Sequence, residues 1–217
     1  MTDTATPTPA QAAPSRGRRA APQAAQRTRK VHPVLEQLFA LYPKMFGARF
    51  LPLKLGAYQD LLAAHPEAFK KEDLKVALGL HARSTRYLEA VASGLQRHDL
   101  QGEPVEPVSP EHVHHAILEV FKRRQGRAAP DAQAQAIARI VAAVDNSGLG
   151  REEYALRVRG QDEANNALLD EALAVLAQRA AKREALQRAF QASGQSVEAF
   201  AEMYGMDVAE VQRTLAD

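Results

Sequence analysis

The chain has 217 residues, no cysteine and a net charge of +2, which excludes a disulfide framework, a thiol nucleophile and a cysteine-based zinc site. No apolar run approaches the ~20 residues that span a bilayer, and the basic N-terminus lacks the apolar segment of a signal peptide, so a cytoplasmic protein is expected. Residues 1–30 contain no Val, Ile, Leu, Phe, Tyr or Trp. Nothing there offsets an ordering entropy of roughly 1–2 kcal/mol per residue, so a disordered tail is predicted. The small net charge hides a gradient. Residues 1–30 carry six Lys/Arg against one Asp, residues 31–127 thirteen against eleven, and residues 128–217 nine against fourteen. A polyanion partner is expected toward the N-terminal end, nucleic acid ahead of membrane, since no basic stretch is strongly amphipathic.

In chain order, Pro33 suits a first helical turn, and Leu35, Leu38, Phe39 and Tyr42 then form one apolar face, ended by Pro43 and Gly47. Arg49 to Leu53 reads as extended because residues before proline avoid the helical region. A second helix carries Leu55, Tyr58, Leu61 and Leu62 inward. A third runs from Lys71 to Leu80 over Leu74, Ala77 and Leu78, broken at His81. Ser84 caps a fourth carrying Tyr87, Leu88 and Val91. From Leu95 to Val105, with Gly102 between, the pattern becomes a short β-hairpin. Ser109-Pro110-Glu111 starts a helix buried through Val113, Ile117, Val120 and Phe121.

Beyond residue 127 the pattern is helical. Ile137, Ile140, Val141 and Val144 make one stripe, and Tyr154, Leu156 and Val158 fit either a strand or a helix start. A long helix from about Asp162 to Phe190 has Leu169, Leu173, Leu176 and Ala180 as its seam, which needs a partner inside the chain or in a second subunit. Ala201, Gly205 and Val211 stand where a helix-turn-helix places its small residue, turn glycine and buried valine, with Asp207 as cap. Specific DNA binding fails on charge, because residues 196–217 hold Arg213 against five carboxylates. The fold class expected is α+β, a mostly helical domain at 31–127 with a short β-hairpin, followed by an acidic all-α region at 128–217.

Five segments then carry a resemblance. Leu53-Lys54-Leu55-Gly56, Tyr58-Gln59-Asp60-Leu61, Ala77-Leu78, Ser84-Thr85-Arg86-Tyr87-Leu88 and Arg97-His98-Asp99-Leu100-Gln101-Gly102-Glu103-Pro104 follow one another as in the ProQ/FinO family of bacterial RNA chaperones. The likeness covers residues 32 to about 125. It implies a cytoplasmic domain for structured RNA, typically the 3′ ends of small RNAs and mRNAs, where a terminator hairpin precedes a U-rich strand. Binding would protect those ends and promote RNA–RNA pairing in post-transcriptional regulation. The family's contact positions map onto Lys54, Lys71, Lys75, Arg86, Tyr87 and Arg97. Gly79 and Leu51 stand where the family often has basic residues, with Arg49, Lys70 and Arg83 nearby as compensating charges.

Lys71 and Lys75 share one helix face by spacing alone. Ser84 and Thr85, at a helix start, cap the helix and leave free amides for a phosphate or terminal hydroxyl. The resemblance favours a half-exposed Tyr87 ring that meets RNA. Asp99 either holds the Arg97 guanidinium or begins the hairpin turn. His112, His114 and His115 lie within one helical turn and cannot all reach one tetrahedral ion, so no metal and no cofactor are expected. No phosphate-binding glycine loop, nucleophile elbow or zinc-protease motif is present, so no enzyme is expected. The alternative is an adaptor whose acidic helical half at 128–217 recruits a protein partner or self-associates.

Overall fold

Prolines set where the first helices start and stop. In the computed structural model, which describes residues 31–47, 49–127 and 129–216, Pro33 opens α1 (Pro33–Leu41) and Pro43 opens α2 (Pro43–Phe46). The tail expected over residues 1–30 lies outside the described residues. The imidazole of His32 caps α1 by accepting the Val34 N–H at 3.3 Å. Proline cannot donate to the preceding turn and its ring clashes there, so the periodic stretch divides at Tyr42. The restart turns Met45 and Phe46 fully inward.

Gly56, at φ 87°, precedes α3 (Ala57–Ala64). Because α3 begins only after this left-handed residue, Leu55 lies outside it and is 62% exposed, which corrects the expectation that it faces the core. Helix α4 (Lys71–Ala82) continues through His81, where a break was expected, because His81 falls on the same face as Leu74 and Ala77 and is buried with them. Ser84 Oγ accepts the Tyr87 N–H at 3.2 Å and starts α5 (Thr85–Ala92). The strands β1 (Arg97–His98) and β2 (Pro104–Glu106) pair antiparallel, Arg97 facing Glu106. Asp99 builds the turn between them, its Oδ1 accepting the N–H groups of Gln101 and Glu103, each at 2.9 Å.

Helix α6 (Pro110–Gln125) packs against α5 on one side and α7 (Ala132–Ser147) on the other. The ambiguous stretch around Tyr154 is helical, α8 (Arg151–Val158). Tyr154 is fully buried there and Leu156 is 83% exposed, a split that strand alternation forbids and a helix produces. Asp162 caps α9 (Glu163–Ser193), whose 31 residues reach about 46 Å. Helices α10 (Val197–Tyr204) and α11 (Val208–Ala216) follow, joined through Gly205 at φ 64°.

The fold is therefore α+β and mostly helical, with one two-stranded hairpin and an all-helical C-terminal region. One apolar core runs from Leu35 to Leu176 and does not stop at residue 127. The first half of α9 closes this core against α7, so the long seam finds its partner within the chain. The second half carries a separate small core of Phe200, Ala201 and Val211 under Leu186 and Phe190. Among the described residues no helix is long and apolar enough to cross a membrane.

Candidate nucleic-acid interface

The extended segment from Phe50 to Lys54 gathers four of the expected site residues. It lies beside β1, with the His98 N–H donating to the Pro52 carbonyl at 2.7 Å and the Lys54 N–H to the His98 carbonyl at 2.9 Å. Two of those four residues hold Leu53 from opposite sides. Its N–H donates to the Tyr87 hydroxyl at 3.0 Å, and its carbonyl accepts from Arg97 Nη1 at 3.0 Å. The guanidinium of Arg86 sits 5.9 Å from the centre of the Phe50 ring, a cation–π distance. Lys54 belongs to the segment itself.

Tyr87 corrects an expectation. Its ring is 9% exposed, on the α5 stripe with Leu88 and Val91, and not a half-exposed surface group. Burial raises the phenol's pKa. The ring closes a cluster around His81, which lies 5.1 Å from Tyr87, 4.7 Å from Phe46 and 4.5 Å from Phe50 between ring centres. Burial in this cluster pushes the His81 imidazole down to about 4, so it is neutral near pH 7.

Arg97 is similarly enclosed, its side chain 12% exposed. Besides Leu53, it approaches Glu106 at 3.9 Å and donates from Nη2 to His112 Nδ1 at 3.2 Å. A guanidinium has no acceptor, so Nδ1 is the acceptor in this contact. Of the two roles open to Asp99, the turn is the one it fills. Tyr87 and Arg97 therefore work from inside, fixing the path of residues 50–54.

The outward charges lie next to this knot. Lys71 and Lys75 are exposed on one face of α4, and neither has a carboxylate within 4.0 Å among the described residues. One and two turns further on stand Gly79 and Arg83. The Arg83 guanidinium folds back over Gly79, its nitrogens 3.4 and 3.5 Å from where a Cβ would be. The row Lys71, Lys75, Arg83 thus keeps a positive charge at the position that Gly79 leaves without one. It leads directly into the N-terminus of α5, where Arg86 is exposed. Tyr58 ties α3 to the start of this row by donating its hydroxyl to the Lys71 carbonyl at 3.3 Å.

Ser84 is an N-cap, as described, and Thr85 Oγ1 accepts from Arg123 Nη1 at 3.1 Å. Arg123 was not foreseen at this site. Its only trace in the sequence is the Lys122-Arg123-Arg124 run, which reads equally well as charges at a helix end. Of Lys54, Lys71, Lys75, Arg83 and Arg86, only Lys54 has a carboxylate within 4.0 Å among the described residues, Asp60 Oδ2 at 2.7 Å from Nζ, and that hydrogen bond raises the lysine's pKa. Among the described residues no three His, Asp or Glu are placed to hold a metal ion. His114 is instead buried against Tyr154, whose hydroxyl is 3.3 Å from its Nδ1.

Comparison with known proteins finds likenesses over the same stretch of chain. Residues 28–133 match the ProQ/FINO family model. The RNA chaperone ProQ of Shewanella frigidimarina (strain NCIMB 400) is 37% identical over 107 residues, covering 48% of this chain and 52% of its own length. The RNA chaperone ProQ of Histophilus somni (strain 2336) is 42% identical over 75 residues, covering 34% and 36%. A crystal structure of a FinO-like RNA chaperone from Neisseria meningitidis MC58 shares 35% identity, covering 38% of this chain and 85% of that one, with a TM-score of 0.35. The chain spans about half the length of the curated relatives it matches. The family match takes in α1 to α6 and leaves nearly all of α7 and everything after it outside.

Proposed function

Residues 28–133 match the ProQ/FINO family, and from that premise we propose that the chain is a cytoplasmic RNA chaperone of that family, with residues 31–127 as its RNA-binding domain. Its ligand is a structured RNA, a hairpin followed by a U-rich 3′ end, as in small RNAs and mRNA 3′ ends. Binding protects the end and brings RNAs together for pairing; no chemical step is involved.

The observation that carries this proposal is the arrangement around Leu53. Buried Tyr87 and Arg97 fix the 50–54 segment, and exposed Lys71, Lys75, Arg83 and Arg86 lie on the helices packed beside it. An A-form helix hides its major groove and offers phosphates and 2′-hydroxyls, so a rigid face of lysine and arginine reads shape and backbone rather than sequence. Ser84 and Thr85 place the first amides of α5 where a phosphate or the terminal ribose of the 3′ tail docks, aided by Arg86 and by Arg123. Lys54 adds to the face, its charge partly answered by Asp60.

Binding of the full chain to a labelled hairpin with a U-rich 3′ tail tests this, alongside the same hairpin without the tail. Lys71→Ala combined with Lys75→Ala should lower affinity by about tenfold and reduce the slope of log K against log salt by roughly 1–2, two phosphate contacts being lost. Equal affinity for the two hairpins would remove the 3′-end preference. An unaltered slope in the double variant would remove the α4 face.

A further inference from the structure

A wide cleft among the described residues lies outside the stretch that matches the family. It encloses about 1270 Å³ between the α7–α8 turn, the middle of α9, and α11. Five cations line it, namely Arg151, Arg179, Lys182, Arg183 and Arg213, against the two carboxylates of Asp145 and Glu210. This surplus occurs in the region whose overall charge is negative, with nine Lys/Arg against fourteen Asp/Glu in residues 128–217.

How those nine cations are partnered separates them cleanly. Arg139, Arg157, Arg159 and Arg188 lie outside the cleft, and each forms an ion pair, with Glu89, Glu153, Asp170 and Glu184 respectively. Among the described residues, none of the five in the cleft has a carboxylate within 4.0 Å. Arg213 donates only to the Ala209 carbonyl of its own helix. On α9, Arg179, Lys182, Arg183 and Leu186 follow a spacing of three, one and three, which makes one stripe facing the opening. Like charges held together without carboxylate partners repel one another, and that repulsion is relieved by a polyanion.

We propose that this cleft is a second RNA-binding site, one that holds a stretch of phosphate backbone. Four of its five cations are arginines, whose planar forks match phosphate oxygens in a bidentate way. No aromatic side chain lines it, so bases do not stack there and it follows the backbone irrespective of sequence. The choice of RNA over an acidic protein rests on the function proposed above for the central domain; the charge of the cleft does not. With two sites, one chain holds a hairpin on its central domain while a second RNA segment lies along α9, which places two strands on one scaffold for pairing.

The test uses the full chain and 4-thiouridine-labelled RNA carrying a hairpin and a 20-nucleotide single-stranded extension. Cross-links are expected in residues 144–151, 176–186 or 206–214 as well as in the central domain. Replacing the α9 cations together (Arg179→Gln, Lys182→Gln, Arg183→Gln) should lower affinity for the extended RNA about tenfold, reduce its salt slope by about 2, and leave affinity for the bare hairpin within twofold. Because a loss can arise from misfolding, the opposite change is informative. Asp145→Asn with Glu210→Gln should tighten binding of the extended RNA severalfold. Absence of cross-links in these segments, or identical binding by both cleft variants and the unmodified chain, overturns the proposal. So does tighter binding of a poly-glutamate peptide than of RNA of equal charge, which would assign the cleft to an acidic protein. If the cleft variants respond while Lys71→Ala with Lys75→Ala does not, the second site stands and the reading of the central domain fails; the reverse result keeps the central domain alone.

Discussion

The central domain and the C-terminal helices both contain inward and outward arginines, and the two regions use them differently. In residues 31–127 the enclosed cation, Arg97, holds main chain at Leu53, and the exposed cations Lys71, Lys75, Arg83 and Arg86 form a face beside it. In residues 128–216 four arginines clamp carboxylates across or along helices, while five cations gather in one cleft with none. The lesson is that the charge of a segment says little about where charge is offered. A region with a deficit of cations overall can still concentrate them, because ion pairing removes carboxylates from one face and leaves the other positive.

A second difference concerns what joins the regions, and it gives the largest expected effect. His81 is buried inside the central domain, and His114 of α6 is buried against Tyr154 of α8, at the seam between the two regions. Both imidazoles are lowered to about 4 by burial, with a smaller Coulombic contribution from the neighbouring His115 side chain for His114. The unfolded chain takes up these protons near pH 6.5, so stability is fully present above that pH and is lost as pH falls toward 4. At pH 5 the loss should be roughly 2 kcal/mol per histidine, about 4 kcal/mol for the pair. Urea unfolding at pH 7.5 and pH 5, followed by helical circular dichroism, measures it. One transition that weakens as a whole means that the shared core from Leu35 to Leu176 folds as a unit. Two transitions separating in acid would mean that the seam at His114 is the weaker link.

The next effect tests the division between inward and outward groups. Arg97→Ala leaves the Leu53 carbonyl without its partner, and Tyr87→Phe does the same to the Leu53 N–H, each costing about 1–3 kcal/mol of stability. Lys75→Ala, on the exposed face, should change stability by no more than about 0.5 kcal/mol. If Arg97→Ala and Lys75→Ala are equally silent in urea, Arg97 does not hold the segment and its enclosure is incidental.

Much of this fold is readable in the sequence because its signals are local. Pro33, Pro110, Ser84 and the 3.6-residue stripes lie within a few residues of the helices they define. The placement of Tyr87 shows where two kinds of inference compete. Its spacing with Leu88 and Val91 puts it in the core, whereas the family resemblance favours exposure, and packing follows the spacing. The partners of Arg97 come from residues 53, 106 and 112, and those of Thr85 from residue 123, so neither arrangement leaves a mark at short range. The cleft is still less legible. Its cations come from three separate stretches of a region that is acidic in sum, and only the packing of α11 beside α9 assembles them.

The smallest expected effect concerns an outward cation of the central face that is paired. Lys54 sits 2.7 Å from Asp60, with both side chains more than a third exposed. An exposed, solvent-screened pair of this kind adds little to stability, so Lys54→Ala should leave the urea midpoint nearly where it was. Its effect on RNA should also be small, about threefold or less, because a phosphate arriving at Lys54 has to compete with the carboxylate already there. The informative change is the opposite one. Asp60→Asn keeps the shape and removes the competing charge, so hairpin affinity should rise by about two- to threefold, with a slightly steeper salt slope as one more cation becomes available to phosphate. The same substitution in the Lys54→Ala background should do less, because the lysine it frees is gone. If Asp60→Asn tightens binding equally in both backgrounds, the carboxylate acts on RNA by long-range repulsion, and Lys54 belongs with the structural cations of the domain rather than with its face.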